Sequence, residues 1–149
     1  VGECLGGALY TEDFRRLLAK VGFNDYRIVS SGPIALDDPE IKQKAGMINF
    51  ISQTVRTFKC TFEDICENYG HTAWYNGSVA ECPHSFTLDE THEFKTGLPV
   101  PVCGNTARML SETRYADHFR VDGDFSTHYG AFECTEETAP EMKPSGSCC

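Results

Sequence analysis

The stretch Cys60-Thr61-Phe62-Glu63-Asp64-Ile65-Cys66-Glu67-Asn68-Tyr69-Gly70 joins two segments that read as strands. It brings two thiols and three carboxylates together, the composition of a binding loop more than of a simple turn. The chain enters it from Ile48–Phe58, where β-branched and aromatic residues partly alternate, and leaves it through a short strand over Thr72–Tyr75. Far upstream, Cys4 stands in Val1-Gly2-Glu3-Cys4-Leu5-Gly6-Gly7, on what reads as a glycine-rich loop. The expectation is that Cys4 and Cys66 meet and hold a soft, thiol-loving ligand.

Composition narrows the partners. The 149 residues are 40% hydrophobic, enough for one domain with its own core. Net charge is −9 with a pI near 4.9, and the 13 Lys and Arg form no dense cluster. Nucleic acid and anionic membrane surfaces are therefore not the expected partners. No apolar run approaches the ~20 residues that cross a bilayer, so the expected setting is cytoplasmic. The start at Val1, already well patterned, reads as the interior of a longer polypeptide.

Thr11 can cap a helix, with Phe14, Leu17, Leu18 and Val21 as a core-facing stripe ended by Gly22. Tyr26–Ser31 reads as a strand stopped by Gly32-Pro33, and Asp38-Pro39 opens a brief helix running to about Ala45. Ser85–Leu88 could pair with Thr72–Tyr75 across the Asn76-Gly77 turn. Asp89–Pro101 reads as loop with at most a short strand around Phe94, Asn105 or Thr106 opens a helix, and Phe119–Val121 with Tyr129–Phe132 closes the domain as paired strands. The expected fold is α+β: a mainly antiparallel sheet flanked by two or three helices, with a disordered C-terminal tail. Residues 1–134 would form the folded region. Residues 135–149, rich in Glu, Pro, Ser and Gly and ending in Cys148-Cys149, would form the flexible tail.

Thiolates select soft metals and metalloids, whereas carboxylates select hard ions. Acidic neighbours around Cys4 and Cys66 disfavour a free nucleophile, so the pair suits ligation better than covalent catalysis. Cysteine spacing fits neither a zinc site nor the disulfide framework of a small secreted domain. Cys60, Cys82, Cys103 and Cys134 read as small hydrophobes, and His71, His84, His92, His118 and His128 as surface or structural groups.

Four strings carry a resemblance: Gly2-Glu3-Cys4-Leu5-Gly6-Gly7-Ala8-Leu9-Tyr10, Cys66-Glu67-Asn68-Tyr69-Gly70, Pro101-Val102-Cys103-Gly104-Asn105-Thr106 and Ser126-Thr127-His128-Tyr129-Gly130. In this order they resemble the C-terminal half of the arsenite S-adenosylmethionine methyltransferases, of microbial and algal type. The resemblance implies that residues 1–134 are the arsenic-binding and C-terminal region of such an enzyme, and that Cys4 and Cys66 carry over as its catalytic arsenic ligands. It also implies trivalent arsenic as substrate and a thiol reductant of glutathione or thioredoxin type. S-adenosylmethionine would be bound by an N-terminal domain that is absent here, along with the family's further cysteines. A monomer that binds arsenic but does not methylate it alone is expected. With two thiols, this chain would prefer methyl- or phenylarsenite, which have two exchangeable positions, over arsenite, which has three. The alternative is a stand-alone thiol-rich module that sequesters metals or metalloids.

Overall fold

The computed structural model describes the backbone of residues 3–133 and the side chains from Leu5 onward. The elements in order are α1 (Glu3–Gly6), α2 (Thr11–Lys20), β1 (Tyr26–Ile34), α3 (Pro39–Ala45), β2 (Phe50–Thr57), β3 (Thr72–Tyr75), β4 (Ser85–Asp89), β5 (His92–Lys95), β6 (Pro99–Pro101), α4 (Gly104–Ser111) and β7 (Phe119–Asp122). The class is α+β with antiparallel pairing between strands, as expected from the sequence. The tail, with Cys148 and Cys149, lies outside the described residues, as does Cys134.

The strands form three small sheets: β1-β2, β6-β3-β7 and β4-β5. The reading of Gly32-Pro33 as a stop is corrected, because β1 continues through them, with Pro33 opposite Ile51 and Gly32 opposite Ser52. A proline lacks the donor a central strand needs, but here each strand has only one partner and tolerates it. The expected β3–β4 pairing is also overturned. β4 pairs with β5, Phe86 opposite Phe94, while β3 takes β6 on one side and β7 on the other. The short strand allowed around Phe94 is present as β5, and β6 is a further strand in the stretch read as loop. Near Tyr129–Phe132 there is no strand, only an isolated bridge between Glu67 and Ala131.

Asp38 caps α3 as its sequence indicates, its carboxylate accepting from the amides of Glu40 and Ile41, with Pro39 in the first turn. For α2 the cap position falls on Tyr10 instead of Thr11, without a side-chain bond. The stripe of α2 is not core either: no α2 residue is buried, and Leu17 is 48% exposed. Likewise Cys4 belongs to the short α1 and not to a loop.

Among the described residues, every buried hydrophobic side chain falls between Phe58 and Phe119. Phe119 is the hub, with ring centroids 5.1 Å from Tyr75 and Phe94 and 5.5 Å from Phe86. These tilted and edge-on contacts suit the aromatic quadrupole. Around them pack Leu88, Val102, Met109 and Leu110, all fully buried.

The β1-β2 hairpin sits against this body through polar contacts. The Glu90 amide donates to the Ile28 carbonyl over 2.9 Å, and Arg56 donates to the carbonyls of Thr87 and Leu88. Arg27 is held by Asp25 at 2.9 Å and Asp89 at 3.3 Å. Burial alone would lower the Arg27 pKa, but the charges of Asp25 and Asp89 more than reverse that and keep it cationic.

A thiol pair at the start of helix α4

The loop from Cys60 to Gly70 has no regular structure, yet it is fastened on two sides. Asn105 of α4 clamps the Glu63 peptide, accepting from its amide and donating to its carbonyl, each over 2.9 Å. On the other side the Asn68 amide donates to the Gly130 carbonyl, Tyr129 to the Asn68 carbonyl and Phe132 to the Cys66 carbonyl, each over 2.8 Å. Between them, the Gly104 amide donates to the Glu67 carbonyl over 2.9 Å and sets Cys66-Glu67 against Cys103-Gly104. The Cys66 thiol hydrogen-bonds the Cys103 sulfur.

Cys103 is the N-cap of α4. Its backbone is extended, and its sulfur is approached by the Thr106 amide at 3.5 Å and the Thr106 hydroxyl at 3.3 Å. Arg27 also donates to that hydroxyl, at 3.3 Å, so the hydroxyl's own proton is left to point at the sulfur. The side chain is fully buried. Its pKa is nevertheless pushed down to about 5, first by the hydrogen bond from Cys66, against the opposing effect of burial, and then by Thr106 and Arg27. Cys60, by contrast, is raised by burial and by Glu112.

Aromatic rings pack together beside Gly104, the residue after Cys103. Tyr69 lies 4.9 Å from Phe125 and 5.1 Å from His128, and His71 lies 4.5 Å from Phe125. Both Tyr69 and Phe125 press on Gly104, where a β-carbon would meet them at 3.1 Å. His128 bonds Glu67 at 2.8 Å, and the Tyr69 hydroxyl donates to Glu63, which raises the Tyr69 pKa. His71 is buried, which lowers its pKa, and its Nδ1 has no hydrogen-bond partner among the described residues.

Of the two residues singled out from sequence, Cys66 is thus placed beside Cys103. The Cys4 side chain lies outside what the structure describes. Of the residues just after it, Leu5, Gly7, Ala8 and Leu9 line a cavity of about 380 Å³ with Ile34, Phe50, Ile51 and Ser52 of the hairpin. Cys103 went unrecognised because cysteine is not among the usual N-cap residues; the available signal was a polarisable side chain three positions before Thr106 at a helix start. Cys82, read as a small hydrophobe, is buried as expected but is disulfide-bonded. Cys60, Cys66 and Cys103 are in thiol form.

Residues 69–149, more than half of the chain, match the family model for the arsenite methyltransferase C-terminal domain. The chain belongs to this family. It is 49% identical over 133 residues to an arsenite methyltransferase from Aquipseudomonas alcaligenes, covering 89% of this chain and 38% of that protein. With the Homo sapiens arsenite methyltransferase it shares 32% identity over 120 residues, covering 80% of this chain and 32% of the human protein. Among solved structures it is similar to the arsenic(III) S-adenosylmethionine methyltransferase of Chlamydomonas reinhardtii. That likeness has a TM-score of 0.84 and 44% identity, over 89% of this chain and 45% of the other. The chain therefore spans less than half the length of these relatives. Among the described residues, no helix is long and apolar enough to cross a membrane.

Proposed function

We propose that this chain is the substrate-binding part of an arsenite methyltransferase, in which cysteine thiolates, Cys4 and Cys66 among them, hold trivalent arsenic. The observation that carries the reading is membership of the arsenite methyltransferase C-terminal domain family, with 49% identity to the Aquipseudomonas enzyme across most of the chain. It is supported by the seating of Cys66 on a loop fastened at both ends, since a preorganised ligand needs a rigid support.

In this reading S-adenosylmethionine, bound outside this chain, supplies an electrophilic methyl group. Residues 1–134 bind arsenic, keep its lone pair directed at that group and shield it from water. The Cys66 loop suits this role through a soft sulfur and through acidic groups that are already paired, Glu63 with Tyr69 and Glu67 with His128. The protein acts as a cytoplasmic monomer, with a glutathione- or thioredoxin-type thiol regenerating the reduced state.

Calorimetric titration of the fully reduced chain with arsenite tests the proposal. Binding at one site, weakened about tenfold or more by Cys4→Ser and by Cys66→Ser, supports it. No binding by the reduced wild type would overturn it. Binding that ignores both substitutions and disappears with Cys148→Ser/Cys149→Ser would favour a sequestration module.

A further inference from the structure

Asn105 is the second residue of α4 and is buried, with 3% of its surface exposed. A buried amide must find partners, and here both of its ends face one residue. The side-chain oxygen accepts from the Glu63 amide and the side-chain nitrogen donates to the Glu63 carbonyl, each over 2.9 Å. This is the two-bond exchange of a paired residue in an antiparallel ladder, made by a side chain in place of a second strand. A carboxylate could only accept there, and an alkyl group could do neither. The same nitrogen reaches Asp25 at 3.4 Å, and Asp25 in turn holds Arg27 of the hairpin.

The residue so held opens a closed loop. The Tyr69 hydroxyl donates to the Glu63 carboxylate, which joins residues 63 and 69 with Cys66 midway between them. Beyond that midpoint, Phe132 fixes the Cys66 carbonyl at 2.8 Å and Gly104 fixes the Glu67 carbonyl at 2.9 Å. Before it, Asn105 fixes the backbone at Glu63, while Asp64 and Ile65 are exposed. Phe62 adds apolar contact with the core, which keeps the loop attached without setting the direction of the peptides that follow.

We propose that Asn105 is a positioning residue for Cys66, fixing the backbone from which that thiol meets trivalent arsenic. This rests on the reading of Cys66 as an arsenic ligand and extends it to a residue that acts through the loop backbone. Ordering a loose loop at the moment of binding costs affinity, and a clamp that orders it beforehand removes that cost. Coupling of this kind is reciprocal, so arsenic bound at Cys66 tightens the clamp by the same factor.

Reciprocity allows a test on the wild type itself. Hydrogen exchange of the Glu63 amide in the reduced chain is expected to slow about tenfold or more when arsenite binds, and calorimetric titration of Asn105→Ala is expected to show arsenite affinity lower by the same factor. Leu88→Ala, at a fully buried site on β4, should lower the thermal midpoint and leave arsenite affinity unchanged. Asn105→Asp, which keeps the acceptor for the Glu63 amide and loses the donated bond, is the second variant and should also bind more weakly. A Glu63 amide whose exchange ignores bound arsenite would overturn the proposal whatever the variants do. Wild-type affinity in Asn105→Ala, with binding still weakened by Cys66→Ser, would remove Asn105 from the site and leave Cys66 in it. Equal losses in Asn105→Ala and Leu88→Ala would reduce its role to general stability and overturn the proposal as well. A wild type that takes up no arsenite, or binding indifferent to Cys66→Ser, would bring down this inference together with the function on which it rests.

Discussion

Arg27 on the β1-β2 hairpin reaches Asp89 at the end of β4 across 3.3 Å, and both side chains are largely buried. Asp89 is also held by the amides of Thr91 and His92 and by the His92 ring, at 2.8 to 2.9 Å. Asp89→Ala leaves Arg27 with Asp25 alone and takes the acceptor from the Thr91 and His92 amides, so it is expected to cost about 1–3 kcal/mol, read as a lower midpoint in urea unfolding.

The same carboxylate sets an acid limit. Burial by itself would raise its pKa, but His92, the Thr91 amide and Arg27 hold it well below the usual carboxylate range. A carboxyl depressed in the folded state contributes stability that is complete above its unfolded pKa and is lost as pH falls toward the folded value. Unfolding free energy should therefore decline below the ordinary carboxylate range, and decline less steeply in Asp89→Asn.

Cys103 gives a second pH signature. Its pKa moves from 9.0 to about 5, so thiolate ultraviolet absorbance of the reduced chain should include one step with a midpoint near 5. Cys66→Ala removes the leading hydrogen bond and should move that step upward. The stability associated with this group is complete above pH 9 and is lost as pH falls through about 5.

Gly104→Ala would place a β-carbon 3.1 Å from the Tyr69 and Phe125 rings. Displacing packed rings costs about 1–3 kcal/mol. Thermal unfolding should show that loss, and near-ultraviolet circular dichroism should show a changed tyrosine signal.

Two leucines distinguish core from surface. Leu110→Ala, at a fully buried site on α4, should cost about 2–5 kcal/mol. Leu17→Ala, on the half-exposed stripe of α2, should stay within about 0.5 kcal/mol of the parent chain. Chemical denaturation of both variants makes the comparison.

What the sequence made legible was local. Asp38-Pro39 announces α3 because both the cap and the fixed proline dihedral act within one turn, and Thr72–Tyr75 reads as a strand from its own residues. Which strand pairs with which was not legible. The Asn76-Gly77 turn suggests a hairpin, but Phe86 packs with Phe94 and Phe119, and that tertiary choice sends β4 to β5. The stripe of α2 misled for a related reason: periodicity shows that a helix has an apolar face, not what covers it. At the site, Cys66 was readable as a loop thiol in acidic surroundings. Its distant neighbour Cys103 became visible only once Asn105 and Gly104 had fastened the loop to α4.

Thr106 receives Arg27 on one side of its hydroxyl and faces the Cys103 sulfur on the other, each at 3.3 Å. A single hydroxyl thus wires the seating of the hairpin to the proton affinity of a thiol. If the hairpin lifts, the guanidinium leaves and the hydroxyl can turn, so the Cys103 pKa moves upward even while Cys66 still hydrogen-bonds the sulfur. The midpoint of that sulfur's ultraviolet titration therefore reports, without any added label, whether the hairpin is seated.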